Sequence, residues 1–307
     1  MGRKLLWLVV LVGCGGSKVS QEDFLAAVPK KEQVQVTFPD GSAREQSAGV
    51  RSDALIGQTA DFYLVTRLTS EHLNGIVGSV LGTLGRITQR PPDIPEENLA
   101  VWGPFTPVLS PVNYRLMIQR VSPGEYAPRL DARPKSSTDD GAFEPVLAGA
   151  ASPPRHTGNF VIDLDRLHLL DPIGTPQTGA IGFAFENASA RGTVRMHLEN
   201  LTEPGGQPVS ADYVYVQLVN GSGDFSFLAD SVWSNAISQD LQRSLVRSRW
   251  MPSGAGRADA HVAGVPERDI TECWDENFAR VFFSARPEPT EGDPALCVFQ
   301  EPPSPIE

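Results

Sequence analysis

The sequence predicts a mainly β domain: a large curled antiparallel sheet, or barrel-like meander, with one long helix packed against it. Three observations lead there. From about Ala100 onward, short runs of alternating apolar and polar residues recur between turn signals. One stretch, Thr59 to Ile87, instead carries the i, i+3, i+4, i+7 spacing of an amphipathic helix. The 26 prolines and 28 glycines favour many turns and short elements, while 40% hydrophobic residues supply enough apolar material for a core. About ten strands are too many for a flat sheet, so it should curl or close.

Taken in order, Ser20 is a candidate N-cap for a short helix over Gln21 to Ala27. Lys31 to Phe38 alternates Val34, Val36 and Phe38 with polar neighbours and reads as a first strand, with Asp40-Gly41 as its turn. The long helix follows at about 59–88, with Leu73, Ile76, Val77, Val80, Leu81, Leu84 and Ile87 on its buried face, stopped by Pro91-Pro92. Gly75, Gly78, Gly82 and Gly85 fall on the opposite arc, either as a slot for close approach of another chain or ligand, or as a plain exposed face. Strand candidates are Ala100 to Phe105, a hairpin of Asn113 to Val121 and Glu125 to Arg133, Phe143 to Ala148, Asn159 to Asp163, and Ile181 to Phe185. Gly192 to Glu199, Tyr213 to Val219, Asp224 to Leu228, Gln239 to Arg249, Arg257 to Val262, Asn277 to Phe283 and Ala295 to Phe299 continue the series. Lys135 to Asp140 and Arg286 to Pro294 read as exposed loops.

The first residues, MGRKLLWLVVLVGC, place Arg3 and Lys4 before an apolar run from Leu5 to Val12. That run is shorter than the ~18–20 residues of a membrane-spanning helix and fits the apolar core of a signal peptide. Leu11-Val12-Gly13-Cys14 resembles the lipobox of bacterial lipoproteins. The resemblance covers about fourteen residues and implies removal of residues 1–13, acylation of Cys14 and anchorage to a membrane through its lipid. Gly15 rather than Asp after the cysteine implies the outer membrane of a Gram-negative envelope. Residues 14–30 then form the anchor and tether with its short helix, 31–300 a single β-rich domain, and 301–307 a disordered Pro-rich tail. With Cys14 lipidated, Cys273 and Cys297 remain as an even pair, a natural disulfide in an oxidising compartment.

Chemistry is sparse. A net charge of −11 disfavours a nucleic-acid groove. No Walker loop, dinucleotide fingerprint, H-E-x-x-H or G-x-S-x-G is present. His72, His156, His168, His197 and His261 are scattered, which argues against a catalytic metal. Asp163, Asp165 and Asp171, with Asn159 upstream, offer oxygens for Ca²⁺, but an acidic strand end capping a helical turn over Leu164 to Leu169 is the favoured reading. Arg243, Arg247, Arg249 and Arg257 beside Trp250 read as a face paired with carboxylates rather than an anion site. Asp275 and Glu276 are too little for a carboxylate-pair mechanism.

The sequence therefore leads to a non-enzymatic outer-membrane lipoprotein with a structural or partner-binding role and no catalytic residues, cofactor or metal. A class-level likeness to lipid-handling envelope lipoproteins, resting on the curled sheet alone, implies the alternative of a hydrophobic-ligand carrier. A less favoured alternative is an envelope hydrolase using Asp163, Asp165 or Glu186. The two classes are separated by whether the sheet encloses an open apolar cavity or convergent carboxylates in a polar cleft.

Overall fold

A computed structural model describes residues 20–39, 56–188, 191–231, 242–262, 268–285 and 290–300. Four helices are seen among them: α1 (Gln21–Ala26), α2 (Lys31–Val34), α3 (Asp61–Ile87) and α4 (Leu164–Leu170). Fifteen strands make one antiparallel sheet in which each strand pairs with the next along the chain. They are β1 (Ile94–Pro95), β2 (Leu99–Phe105), β3 (Val112–Ser122), β4 (Glu125–Pro134) and β5 (Glu144–Ser152). Then come β6 (Thr157–Asp163), β7 (Thr178–Ala188), β8 (Arg191–Thr202), β9 (Val209–Leu218) and β10 (Gly223–Ser231). The last five are β11 (Gln242–Trp250), β12 (Gly256–Val262), β13 (Arg268–Trp274), β14 (Arg280–Ala285) and β15 (Glu291–Gly292). Among the described residues the first and last strands do not pair, so the described sheet is a curled meander with two open edges.

Alternation fixes which face turns inward, and register then aligns those faces into rows. One inner row runs Phe160, Phe183, Met196, Tyr213, Phe227, Val246 and Ala260 across β6 to β12. The next runs Phe185, Val194, Tyr215, Phe225, Ser248, Ala258 and Glu272 across β7 to β13. Aromatic rings stack along these rows, as Phe160 on Phe183 at 5.3 Å and Tyr213 on Phe227 at 5.6 Å. Gly223 and Gly256 leave room for the indoles of Trp250 and Trp274, which lie 2.2 and 2.3 Å from where a Cβ would stand.

Helix α3 forms where the periodicity predicts it and buries Leu73, Val77, Val80, Leu81, Leu84 and Ile87, with Ile76 half-buried. It lies against β11 and β12 at one part and β2 at another. Its glycine face is open: among the described residues no heavy atom outside the helix's own turns lies within 4 Å of a Cβ built on Gly75, Gly78, Gly82 or Gly85, so no other element of this chain packs there. α1 carries the predicted Ser20 cap, with Ser20 and Asp23 bonding each other reciprocally.

Two predicted strands are corrected. Lys31 to Phe38 begins as α2 and continues as an extended strap outside the sheet. Its alternation is real, since Val34 and Val36 are buried, but the ladder is replaced by one side chain. Asn74 of α3 accepts from the Val36 N–H at 2.9 Å and donates to the Val36 carbonyl at 2.8 Å. The Tyr215 hydroxyl donates to the Thr37 carbonyl, and the Phe38 ring packs on Trp250. Ala295 to Phe299 forms a 3-10 turn over Pro294–Leu296 and then a bend, tied down by the predicted Cys273–Cys297 disulfide. The Cα atoms of that bridge are 5.4 Å apart, inside the ordinary range. The lipobox, Cys14 and residues 301–307 lie outside the described residues.

Candidate functional site

The concave side of the sheet is the first place a curled meander would hold a ligand. Here it is occupied by the chain itself. α2 lies against β7 and β8, α4 against β4, β5 and β7, and α3 spans from β11–β12 to β2. The Phe24 ring of α1 meets Tyr126 edge-on at 5.8 Å. Under these elements the inner-face side chains Ile181, Phe183, Phe185, Val194, Met196 and Leu198 are between 0 and 7% exposed. Surface that no water can touch offers nothing to an acyl chain.

One network of buried polar residues lies at the start of α3; a second, on β3 and β4, pairs fully buried Asp131 with Arg115 and Arg129. Ala60, at the N-cap position, has no capping side chain. Glu272 of β13 caps the helix from across the core, accepting from the backbone N–H of Asp61 at 3.1 Å and of Phe62 at 2.5 Å. Arg280 of β14 donates its Nε to Glu272 at 2.5 Å and an Nη to Asp61 at 2.8 Å, and its guanidinium lies over the Phe283 ring. Complete burial pushes the Glu272 carboxyl up to about 7, with Asp61 adding to the rise, against the pull of Arg280 and the Phe62 N–H. One turn further on, the Thr66 and Ser248 hydroxyls share a 2.5 Å hydrogen bond that seats α3 on β11. This network positions a helix: its hydrogen bonds run to the first backbone N–H groups of α3.

The outer face carries a groove of about 360 Å³ over β5 to β8. Its floor is made of small outward residues, Ala150 and Ala184, in register with Asn159 and Arg195. Glu186 lies on one wall. Glu125 on the other is engaged, held by Arg155 at 2.7 Å and by the Ser152 hydroxyl at 3.0 Å.

Many of the residues singled out in the sequence have structural duties; the side chain of Arg243 lies outside the described residues. Asp163 caps α4 by accepting from the Arg166 N–H at 2.8 Å, as the capping reading predicts. Asp165 accepts from the Gly179 N–H at 2.7 Å, and Asp171 from the Gly174 N–H at 2.9 Å. Among the described residues no group of three His, Cys, Asp or Glu side chains is placed to hold a metal. Arg247 pairs with Asp224, and Arg257 with Asp259, while Arg249 lies over the Phe299 ring. Arg257 also donates to the carbonyls of Phe299 and Gln300, both at 3.0 Å, so the arginine face is the seat of the C-terminal segment. Asp275 accepts from the N–H groups of Asn277 and Ala279, and Glu276 is exposed in the same turn. His72, His197 and His261 each meet one carboxylate, Glu203, Asp212 and Asp269 respectively. His168 bonds the Thr175 carbonyl, and His156 closes the 3-10 turn before β6 in a left-handed conformation. Nothing in the linear sequence signalled the Glu272–Arg280–Asp61 network, because its members stand 8 and 211 positions apart.

No protein family, no curated protein and no solved structure matches this chain.

Proposed function

We propose that this protein is a lipid-anchored, outer-membrane lipoprotein of a Gram-negative envelope that acts through its surface, in a structural or binding role without catalysis. The observation that carries the reading is the filled concavity: α1, α2, the strap, α3 and α4 occupy the space a carrier would leave for its cargo. The use of Asp163, Asp165 and Asp171 as backbone caps supports the non-catalytic part. The lipobox-like tetrad ending at Cys14 supports the anchor, since an acylated cysteine holds a soluble domain on a bilayer. Fractionation of bacterial envelopes tests the anchor. Wild-type protein partitions with the outer membrane, and Cys14→Ser is released or remains unprocessed. Unchanged membrane retention of Cys14→Ser contradicts it.

A further inference from the structure

The antiparallel meander has two rims. The hairpin rim carries the β3–β4, β5–β6 and β9–β10 turns, and the ring contact of Phe24 with Tyr126 places α1 beside it. The opposite rim carries the β2–β3 and β4–β5 loops and the segment from α4 into β7. The three most exposed large aliphatic side chains among the described residues all stand on that opposite rim: Leu109 at 98%, Val108 at 94% and Ile173 at 93%.

Val108 and Leu109 are the central residues of a turn closed by the Ser110 N–H on the Pro107 carbonyl at 3.1 Å. Leu109 has φ +63°, the left-handed conformation at a position where turns of this kind take Gly or Asn. The chain shows what ordinarily compensates such strain. Phe278, at φ +61°, is buried and stacks on Tyr63 at 4.1 Å. Leu109 recovers nothing of the kind, because its side chain is wholly in solvent. A strained backbone holding up an unburied leucine is a feature without a folding benefit.

Ile173 tops a second tight turn, Asp171-Pro172-Ile173-Gly174, closed by the Asp171 carboxylate on the Gly174 N–H. Leu169 on the last turn of α4 is 76% exposed beside it. The β2–β3 loop enters β3 and the Ile173 turn leads into β7, four strands away, or within about 20 Å along the sheet. Lys135, whose N–H bonds the Pro111 carbonyl, stands next to the first turn.

We propose that this rim is a bilayer-contact site in which Val108, Leu109 and Ile173 enter the acyl boundary of a lipid surface. Two tips of branched aliphatics that nothing else among the described residues covers present the bare apolar area whose burial drives insertion into an acyl boundary. The site gives the surface-binding role a ligand class and rests on that role, but not on lipidation of Cys14. A tether of six residues from Cys14 to Ser20 extends at most about 20 Å, against a strand of about 36 Å. A lipidated Cys14 would therefore hold the hairpin rim to its own bilayer and leave the opposite rim for a facing one.

Flotation of the processed Cys14→Ser protein, freed of residues 1–13, with phosphatidylcholine vesicles, and with vesicles containing one quarter phosphatidylglycerol, tests the site. Binding to the zwitterionic vesicles is expected, and the Leu109→Asn/Ile173→Asn double variant should bind at least ten-fold less. Asn suits the left-handed position, so Leu109→Asn alone should match or exceed the wild-type melting midpoint while binding less, two opposite movements that a purely structural role does not produce. Absence of wild-type binding to both vesicle types overturns the proposal, as does equal binding by the double variant. Binding that requires phosphatidylglycerol and survives both substitutions overturns it too, and assigns the contact to surface charge. None of these outcomes alters the membrane fractionation of native Cys14.

Discussion

Replacing Glu272 with Gln should change how stability depends on pH, in a direction set by the burial of that carboxyl. The group is fully buried, with a folded-state pKa of about 7 against an ordinary value of 4.5. The folded protein therefore holds its proton more tightly than the unfolded chain. For an acid raised in this way, stability is greatest at low pH and falls as pH rises from about 4.5 to about 7, then levels off. A rise of this size corresponds to about 3 kcal/mol in total, of which about 2–3 kcal/mol falls between pH 5 and pH 8. Gln carries no titrating proton, so the stability difference between wild type and Glu272→Gln should shift by that amount in favour of Gln across the interval. Urea unfolding at pH 5, 6, 7 and 8, followed by tryptophan fluorescence, reads the difference directly, since Trp250 and Trp274 are fully buried. Parallel pH curves for the two proteins would refute the reasoning. A shift of opposite sign would mean that Arg280 and the two helix N–H groups outweigh burial and keep Glu272 ionised throughout.

Other predictions follow from packing. Leu84→Ala should cost about 2–5 kcal/mol, because Leu84 is 1% exposed on the buried face of α3, whereas Gln89→Ala on the exposed end should be neutral in the same melt. Asn74→Ala removes both hydrogen bonds to Val36 and leaves two backbone groups of the strap unpaired, for a loss of about 1–3 kcal/mol and faster amide exchange at Val36. Reducing the Cys273–Cys297 bridge, which closes a 24-residue separation, should lower stability by roughly 3 kcal/mol, and limited proteolysis should then cut first in residues 290–300.

The fold was legible where one face of an element is apolar throughout. α3, the β3–β4 hairpin and the β7–β8–β9 series follow from periodicity, since Ile181, Phe183 and Phe185 meet Leu198, Met196 and Val194 in register. β13 was not legible. Its inward residues are Ile270, Glu272 and Trp274, and a buried carboxylate in the middle breaks the alternation that marks a strand. Its other face hides Cys273 under the C-terminal segment through the disulfide. The strap from Gln35 to Phe38 misled for the opposite reason: burial of alternate side chains needs only an extended chain, and here Asn74 supplies the hydrogen bonds a neighbouring strand would give. The capping role of Asp163 was legible because an aspartate before a short helix has a common local use. The exposed rim drew no notice in the sequence, where Val108-Leu109 looks like any apolar pair. Only the positive φ of Leu109 and its exposure set it apart.

The central claim is that the concavity is filled by the chain itself and carries no cargo. Native mass spectrometry of the Cys14→Ser protein purified from a bacterial envelope tests it most directly. The filled interior predicts a single species at the mass of the polypeptide with its disulfide, unchanged after gentle activation. A stoichiometric adduct of lipid mass, held by the Cys14→Ser protein and released on activation, would contradict it.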